Sequence, residues 1–188
     1  MTQFKARRRG GVYVVLPPYA AGLIASLARQ LVELLSDGEV APSPAVDPLE
    51  AMLDFGAPRD TPEDPALLRL LPPAHLDDDE AAAEFRRFTE RSLREGKVGD
   101  AAVVLSKLDD AGDGIPDDLE FELDAQEARA FMRCLTDLRL TLAARLGVTS
   151  DDEDTWASLP EEDERRPVYE IYGWLGYVLE SLIDAVRR

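Results

Sequence analysis

The residues with the most metal-like spacing lie in an acidic segment, residues 109–120. Acidic side chains occupy the first, fifth, ninth and twelfth positions of this segment and a glycine the sixth, as in an EF-hand calcium loop. However, Ala111 stands at the third position, where a ligand is needed, and Pro116 at the eighth, where an apolar residue normally pairs two loops. We therefore favour the alternative, an acidic surface loop over residues 109–118.

Two further side chains could carry chemistry, and each is the sole residue of its type. Cys134 is the only cysteine and His75 the only histidine, which excludes an intrachain disulfide and a multi-histidine zinc site. A Cys134–His75 nucleophile pair is formally available, but one cysteine and one histidine more often coincide by chance. We expect His75 in a loop and Cys134 as a small core side chain. If Cys134 is exposed, the nearby Arg133 would lower its pKa and make it sensitive to oxidants.

Motifs for cofactor or substrate binding are also missing from the sequence. No phosphate-binding glycine loop and no nucleophile elbow follows a predicted strand. We therefore expect no enzymatic activity, no cofactor and no bound metal, and look for a binding function.

The charge balance limits which partners the chain can bind. Its 38 acidic residues outnumber its 21 basic residues, which gives a formal net charge of −17. Binding to duplex DNA usually requires a basic face that releases counterions from the phosphates. The basic residues cluster only in an N-terminal arm, residues 1–10, which contains Lys5, Arg7, Arg8 and Arg9. We therefore expect no specific DNA binding by this chain alone, and predict a protein partner with a basic surface.

The apolar runs are too short for a membrane segment. The longest, residues 12–16 and 101–105, fall far below the ~20 residues of a membrane-spanning helix. The basic N-terminus precedes only five apolar residues before Pro17 and lacks a cleavage site of small residues. We predict a cytoplasmic protein that does not contact membranes.

The residue pattern predicts one mainly α domain over residues 1–188, a helical bundle with a two-stranded β-ribbon. Residues 12–16 are β-branched and aromatic and residues 119–123 alternate between apolar and polar side chains, so both predict strands. Because isolated strands are marginally stable, we expect these two to pair. Helical periodicity predicts about five main helices near residues 18–36, 77–95, 98–108, 124–147 and 167–186. The second and third are either one kinked helix or a tight helical hairpin at Gly96 and Gly99.

Local signals predict where several helices begin and end. The proline-rich residues 39–76 exclude long helices and predict an ordered crossover. Short helices fit at Asp47–Pro48 and Asp64–Pro65, where a cap residue precedes a first-turn proline. The remaining signals are a capping box at Asp124 and Glu127, a terminal glycine at Gly147, and a short helix around Trp156.

The apolar periodicity also predicts which helix faces are buried. The apolar stripe of the first helix should face the core, and Ile24 and Leu35 widen it; its members are Tyr19, Leu23, Leu27, Leu31 and Leu34. In the second helix we expect Ala81, Phe85 and Phe88 to face inward. Surface ion pairs at four-residue spacing are predicted for Arg86 with Glu90 and for Glu90 with Arg94.

Two glycines interrupt the last predicted helix. Gly173 and Gly176 together cost about 2 kcal/mol of helix propensity, so close approach of a neighbouring backbone is a reasonable cause. Trp174 and Tyr177 would then be anchors at an interface. The alternative is that both aromatic side chains are buried inside the bundle.

Three segments taken together resemble a known family. They are residues 78–90, residues 133–149, which contain Asp137-Leu138-Arg139-Leu140, and residues 172–182, which contain Tyr172-Gly173-Trp174-Leu175-Gly176. In this order and spacing they resemble an actinobacterial family first known as a domain of unknown function, which includes oxidative-stress transcriptional regulators of the AosR type. The resemblance covers nearly the whole chain.

The resemblance implies a regulator that acts through a stress sigma factor and is switched by a disulfide. In the family the two cysteines are separated by three residues, but Ala130 and Leu138 occupy the positions four residues from Cys134. This chain therefore cannot form that intrachain bond. The resemblance still implies one of two arrangements. The chain either binds a sigma factor or RNA polymerase without the disulfide switch, or it is switched by an intermolecular disulfide through Cys134.

We therefore expect a transcriptional regulator that contacts a sigma factor or RNA polymerase in the oxidative-stress response. The alternative is a non-enzymatic adaptor or scaffold in protein quality control or envelope physiology, and either protein could form a homodimer. Redox chemistry is assigned to Cys134, and partner binding to Arg133, Asp137, Arg139, Trp174 and Tyr177.

Overall fold

The computed structural model describes residues 2–7, 11–36, 61–75, 77–111, 118–149 and 158–188. Within these residues the chain is mainly helical and has one small sheet, which confirms the predicted fold class. The strands are β1 (Gln3–Ala6), β2 (Val12–Leu16) and β3 (Leu119–Leu123), and the helices are α1 (Pro18–Ser36), α2 (Pro65–Leu70), α3 (Asp79–Ala111), α4 (Ala125–Leu146) and α5 (Arg166–Arg187).

The sheet is antiparallel in the order β1-β2-β3. The predicted pairing of β2 with β3 is confirmed, in a register that aligns Val12 with Leu123 and Leu16 with Leu119. Strand β1 is a correction, because residues 3–6 belong to the segment predicted as a basic arm. The Arg7 N–H donates to the Gly11 carbonyl at 2.8 Å and closes a hairpin that pairs β1 with β2.

Helix α1 packs along α3, and Ile24, Leu31 and Leu35 of the predicted stripe are buried. Tyr19 is 71% exposed, which corrects its predicted place in the core. Small side chains bring α1 close to its neighbours, so the buried face is rotated towards alanines. The buried side chains of α1 are Ala20, Ala21, Ile24, Ala25, Ala28, Leu31 and Leu35.

Helix α3 settles the choice left open by its glycines. It is one continuous helix of 33 residues that runs through Gly96 and Gly99. A Cβ atom on either glycine would meet no atom within 4 Å, so no close packing requires them. The helix continues to Ala111, and residues 112–117 of the calcium-like segment lie outside the described residues.

The local signals at helix ends are confirmed where they are described. Asp124 accepts from the N–H groups of Gln126 and Glu127, and the Glu127 side chain accepts from the Asp124 N–H, as a capping box requires. Gly147 ends α4 with a φ of 73°, the left-handed conformation that favours glycine. Asp64 caps α2. The helices predicted at Asp47–Pro48 and around Trp156 lie outside the described residues.

The core lies where α5 and α4 meet the sheet and α1. It is a single connected cluster of apolar side chains, and the predicted last helix contributes Leu175, Val178 and Leu182 to it. The sheet adds Val12, Val14 and Leu123 from its inner face. No helix in the described part of the chain is long and apolar enough to cross a membrane.

Candidate partner-binding surfaces

The N-terminal half of α3 has its apolar and charged faces reversed relative to the prediction. Arg86, Glu90 and Arg94, predicted as surface ion pairs, are buried, whereas Phe85 and Phe88, predicted to face inward, are about half exposed. Both sets of residues recur at helical spacing, and hydrophobicity alone predicted that the phenylalanines would form the buried face. This half of α3 therefore exposes two phenylalanine side chains that were predicted to lie in the core.

The buried charges form a ladder along the helix. Arg94 Nε lies 2.8 Å from one carboxylate oxygen of Glu90, and Arg86 Nε lies 3.5 Å from the other. Arg94 also donates to the carbonyl of Leu35 at 2.6 Å, where the last turn of α1 has carbonyls without helical partners. Arg86 donates to Thr61 Oγ1 at 3.2 Å. The ladder therefore fastens α3 to the end of α1 and to the segment before α2.

The same half of α3 also carries large exposed apolar side chains. Phe85, Phe88 and Leu93 are 47%, 50% and 46% exposed, and we call these three side chains the α3 apolar surface. The exposed ring of His75 packs edge-on against Phe85, with centroids 6.3 Å apart. Because burial of such side chains is strongly favourable, an exposed cluster of this kind is typical of a protein-binding surface.

A shallow groove and an acidic edge border the α3 apolar surface. Leu71, Pro72 and Pro73 line the groove together with Phe85. At the helix N-terminus the exposed residues 77–80 are all acidic. Apolar contact area next to negative charge is suited to a partner segment that combines apolar and basic side chains.

Cys134 lies inside the core and is not part of the α3 apolar surface. Its side chain is completely buried, and burial raises the pKa of the thiol to about 12, with Asp137 and Asp100 contributing. The thiol is therefore protonated at neutral pH, and the thiolate is the form that reacts with oxidants. This placement fits the core side chain that we favoured, and a redox role for Cys134 stays a prediction that would require α4 to open.

Two ion pairs between α3 and α4 flank Cys134 and engage two of the predicted partner-binding residues. Arg133 donates to both carboxylate oxygens of Asp100, at 2.6 and 2.5 Å. Lys97 Nζ lies 2.6 Å from a carboxylate oxygen of Asp137. The Asp137 side chain is buried, and this burial raises the pKa of its carboxyl group. Asp137 is therefore an internal ion-pair residue in this conformation, and its role in partner binding stays a prediction.

Arg139 lies where the two most specific segments of the resemblance meet, between α4 and α5. Its guanidinium carbon is 4.7 Å from the centroid of the Tyr172 ring, a cation–π distance. A Cβ atom on Gly176 would lie 3.3 Å from the same group, so the glycine makes room for the arginine. The Arg139 side chain of α4 therefore packs into the space that Gly176 leaves on α5.

The remaining predicted residues lie on α5. Trp174 is half-buried and packs against the core, so it matches the alternative of burial more closely than that of an exposed anchor. Tyr177 is 52% exposed, and next to it Gly173 leaves open space, since a Cβ atom there would meet no atom within 4 Å.

The sequence analysis did not identify the residues that join α3 to α4. Lys97 and Asp100 showed no signal, because they become partners of Arg133 and Asp137 only when α3 packs on α4. The ladder showed one usable signal, a glutamate with arginine both four residues before and four residues after it. Across the described residues, no group of three or more His, Cys, Asp or Glu side chains is placed to hold a metal ion.

Comparison with known proteins gives relatives and a family. The chain is 31% identical to a Mycobacterium tuberculosis protein named oxidative stress regulator AosR, over 89% of this chain and 78% of that protein. A Mycobacterium bovis protein of the same name matches equally well. A Mycobacterium leprae protein named putative oxidative stress regulator AosR is 29% identical over 92% of this chain and 81% of its own length. No solved structure gives a significant match.

The family model for the domain of unknown function DUF2017 matches residues 1–186. This match spans nearly the whole chain and includes every strand and almost all of the last helix. It agrees with the resemblance carried by the α3, α4 and α5 segments. The chain therefore belongs to the DUF2017 family, together with relatives that are named oxidative stress regulators.

Proposed function

We propose that this chain is a transcriptional regulator in the oxidative-stress response that acts by binding a sigma factor or RNA polymerase. Two kinds of observation support the proposal. Relatives at about 30% identity are named oxidative stress regulators, and helix α3 exposes large apolar side chains of the kind found at protein interfaces. The single observation that carries the binding role is the α3 apolar surface.

The α3 apolar surface has features of an interface centre. Its two phenylalanines are large and rigid, and such side chains contribute much of the free energy at protein interfaces. Beneath them, the ladder of Arg86, Glu90 and Arg94 ties the helix to α1, so the surface is held in place before a partner arrives. Preorganisation of this kind lowers the entropy lost on binding.

The charge of the chain suits a partner from the transcription machinery. A protein that holds DNA presents basic surfaces to the phosphates. A chain with a net charge of −17 is attracted to such surfaces and repelled by DNA itself. An acidic regulator can therefore contact polymerase or a sigma factor without reading DNA.

Arg7 also bears on DNA binding, because it belongs to the basic N-terminal cluster. Its Nε lies 3.4 Å from Glu122, and its guanidinium lies 4.8 Å from the centre of the Tyr13 ring. Arg7 is thus engaged with the outer face of the sheet. This arrangement supports a function through protein contacts more than one through a free basic arm.

An affinity capture from the chain's own cells tests the proposal. Tagged protein is recovered from stressed and unstressed cells, with and without reductant, and its partners are identified by mass spectrometry. We expect a sigma factor or polymerase subunits, and loss of that partner on reduction would assign a redox role to Cys134. Recovery of proteolytic or envelope proteins, with no polymerase or sigma factor in any condition, would contradict the proposal and favour the adaptor alternative.

A further inference from the structure

Arg139 lies on α4 with its guanidinium against α5. In the part of the chain that the structure describes, it forms no ion pair, and its Nε is buried without a hydrogen-bond acceptor. A buried donor that is left unsatisfied costs free energy, so native proteins seldom retain one without a reason.

The guanidinium group is nevertheless held in a defined place. Its Cζ lies 4.7 Å from the centroid of the Tyr172 ring, and Gly176 lies against it without a side chain. A cation–π contact orients an arginine and leaves those N–H donors that are not buried for a hydrogen-bonding partner. Arg139 is therefore fixed by contacts that do not neutralise its charge.

Space for an incoming group lies on α5 at Gly173, three residues before Gly176. Gly173 is exposed and a Cβ atom there would meet no atom within 4 Å, so a partner can approach the helix backbone closely. Tyr177, one turn further along α5, is half exposed and offers apolar contact area with a hydroxyl group. Gly173 and Tyr177 both lie within one helical turn of Gly176, the α5 residue that packs against Arg139.

We infer that Arg139, held by Tyr172 and Gly176, is a binding site for a carboxylate side chain of a protein partner. The inference rests on the proposed function, because it names the chemistry by which that partner is recognised. The planar fork of an arginine matches a carboxylate in a bidentate arrangement. A carboxylate is favoured over a nucleic-acid phosphate because the net charge of −17 repels a polyanion, whereas one carboxylate meets only the local field of Arg139.

A titration of the arginine signals tests the site without knowledge of the partner. The protein is labelled with nitrogen-15 at arginine, and the Arg139 Nε–H resonance is assigned as the signal lost in Arg139→Lys. Sodium chloride is then exchanged for sodium acetate at constant ionic strength, with sodium phosphate in a parallel series. We expect a saturating shift of the Arg139 resonance with acetate and none of this size in the signal of Arg91, an exposed arginine on α3.

The outcomes of this titration are decisive in either direction. A shift with acetate that exceeds the shift with phosphate supports a carboxylate site. Equal small shifts in all salts would overturn the site, and a larger shift with phosphate would overturn its assignment to a carboxylate. Because the titration uses the wild-type protein, the test does not depend on whether a variant folds.

A second measurement separates this inference from the proposed function. Binding of the captured polymerase or sigma factor is compared for the wild type, Arg139→Lys and Arg139→Gln, each checked for an unchanged melting temperature. We expect at least a tenfold loss of affinity with Arg139→Gln and a partial recovery with Arg139→Lys. If the wild type binds but both variants bind equally well, the carboxylate inference fails and the proposed function stands. If no such partner binds the wild type while acetate still shifts Arg139, the proposed function fails and the site stands.

Discussion

At the scale of single residues, the chemistry of Cys134 depends on burial and not on its neighbours in the sequence. Arg133 is adjacent in the chain, but its guanidinium is bound to Asp100 and does not stabilise a thiolate. The sequence shows the cysteine and the arginine together but contains no signal for which of them faces the core. Only the packing of α3 against α4 determines this, so the raised pKa could not be predicted.

We expect Cys134 to make stability depend on pH in the alkaline range. The unfolded thiol loses its proton above a pKa near 9.0, whereas the folded thiol keeps it until about 12. The stabilisation is therefore full below pH 9 and is lost as the pH rises through this window, with a slope of up to about 1.4 kcal/mol per pH unit. Denaturant unfolding of wild type and Cys134→Ala at several pH values measures the difference.

Cys134→Ala controls for all other groups that titrate in that range. The free energy of unfolding of the wild type should fall more steeply with pH than that of the variant. Parallel curves would show that the thiol is not protected by burial. Fast modification of the native protein by a thiol reagent at neutral pH would lead to the same conclusion.

At the scale of secondary-structure elements, local signals were sufficient for helix ends and insufficient for helix faces. The capping box of α4 and the glycine that ends it depend on residues within one turn, so the sequence predicts both. The buried face of α3 depends on Leu35 and Thr61, which lie far away in the chain and supply acceptors to the arginines. No helical pattern contains this information.

The charge ladder gives a strong prediction for α3. Glu90→Ala would leave Arg86 and Arg94 buried without their carboxylate, so we expect a loss of about 3–5 kcal/mol in the free energy of unfolding. Glu95→Ala on the same helix removes an exposed pair with Arg91 and should cost less than about 0.5 kcal/mol. Urea unfolding of both variants measures the contrast, and equal small losses would show that the ladder is not buried in solution.

The two glycines of α5 give a prediction in the opposite direction. Gly173→Ala meets no neighbouring atom, so the gain in helix propensity should stabilise the protein by about 1 kcal/mol. Gly176→Ala has the same propensity gain but must displace the Arg139 guanidinium, so it should stabilise less or destabilise. Thermal unfolding compares the pair. A larger gain for Gly176→Ala would contradict the close packing of Arg139 on α5.

At the scale of the whole molecule, the mainly α class followed from periodicity, and the sheet followed only in part. Pairing of β2 with β3 was predictable because the sequence offers two strand candidates and isolated strands are unstable. Strand β1 was not predictable, because a four-residue segment beside a run of arginines shows no distinct strand pattern and forms through its hairpin with β2. The sequence placed partner contacts at Arg139 and Tyr177, which stays a prediction, and it assigned Phe85 and Phe88 of the α3 apolar surface to the core, whereas both are about half exposed.

The overall charge predicts how binding should respond to salt. With a net charge of −17, association with a basic partner is accelerated by long-range attraction that salt screens. We expect the association rate constant with polymerase or a sigma factor to fall as ionic strength rises, while the dissociation rate constant changes less. Biosensor kinetics over a salt series measures both. An association rate that does not change with salt would show that charge does not guide the encounter.

The account as a whole depends on the α3 apolar surface being the place where the partner binds. The most direct measurement is the dissociation constant of purified polymerase or sigma factor for the wild type, for the double variant Phe85→Ser and Phe88→Ser, and for Tyr19→Ser. Tyr19 is a large exposed side chain on α1 and serves as the matched control. We predict a loss of affinity of about thirtyfold or more for the double variant, as for hot-spot side chains, and no change for Tyr19→Ser. Wild-type affinity in the double variant, with its fold intact, would contradict the account.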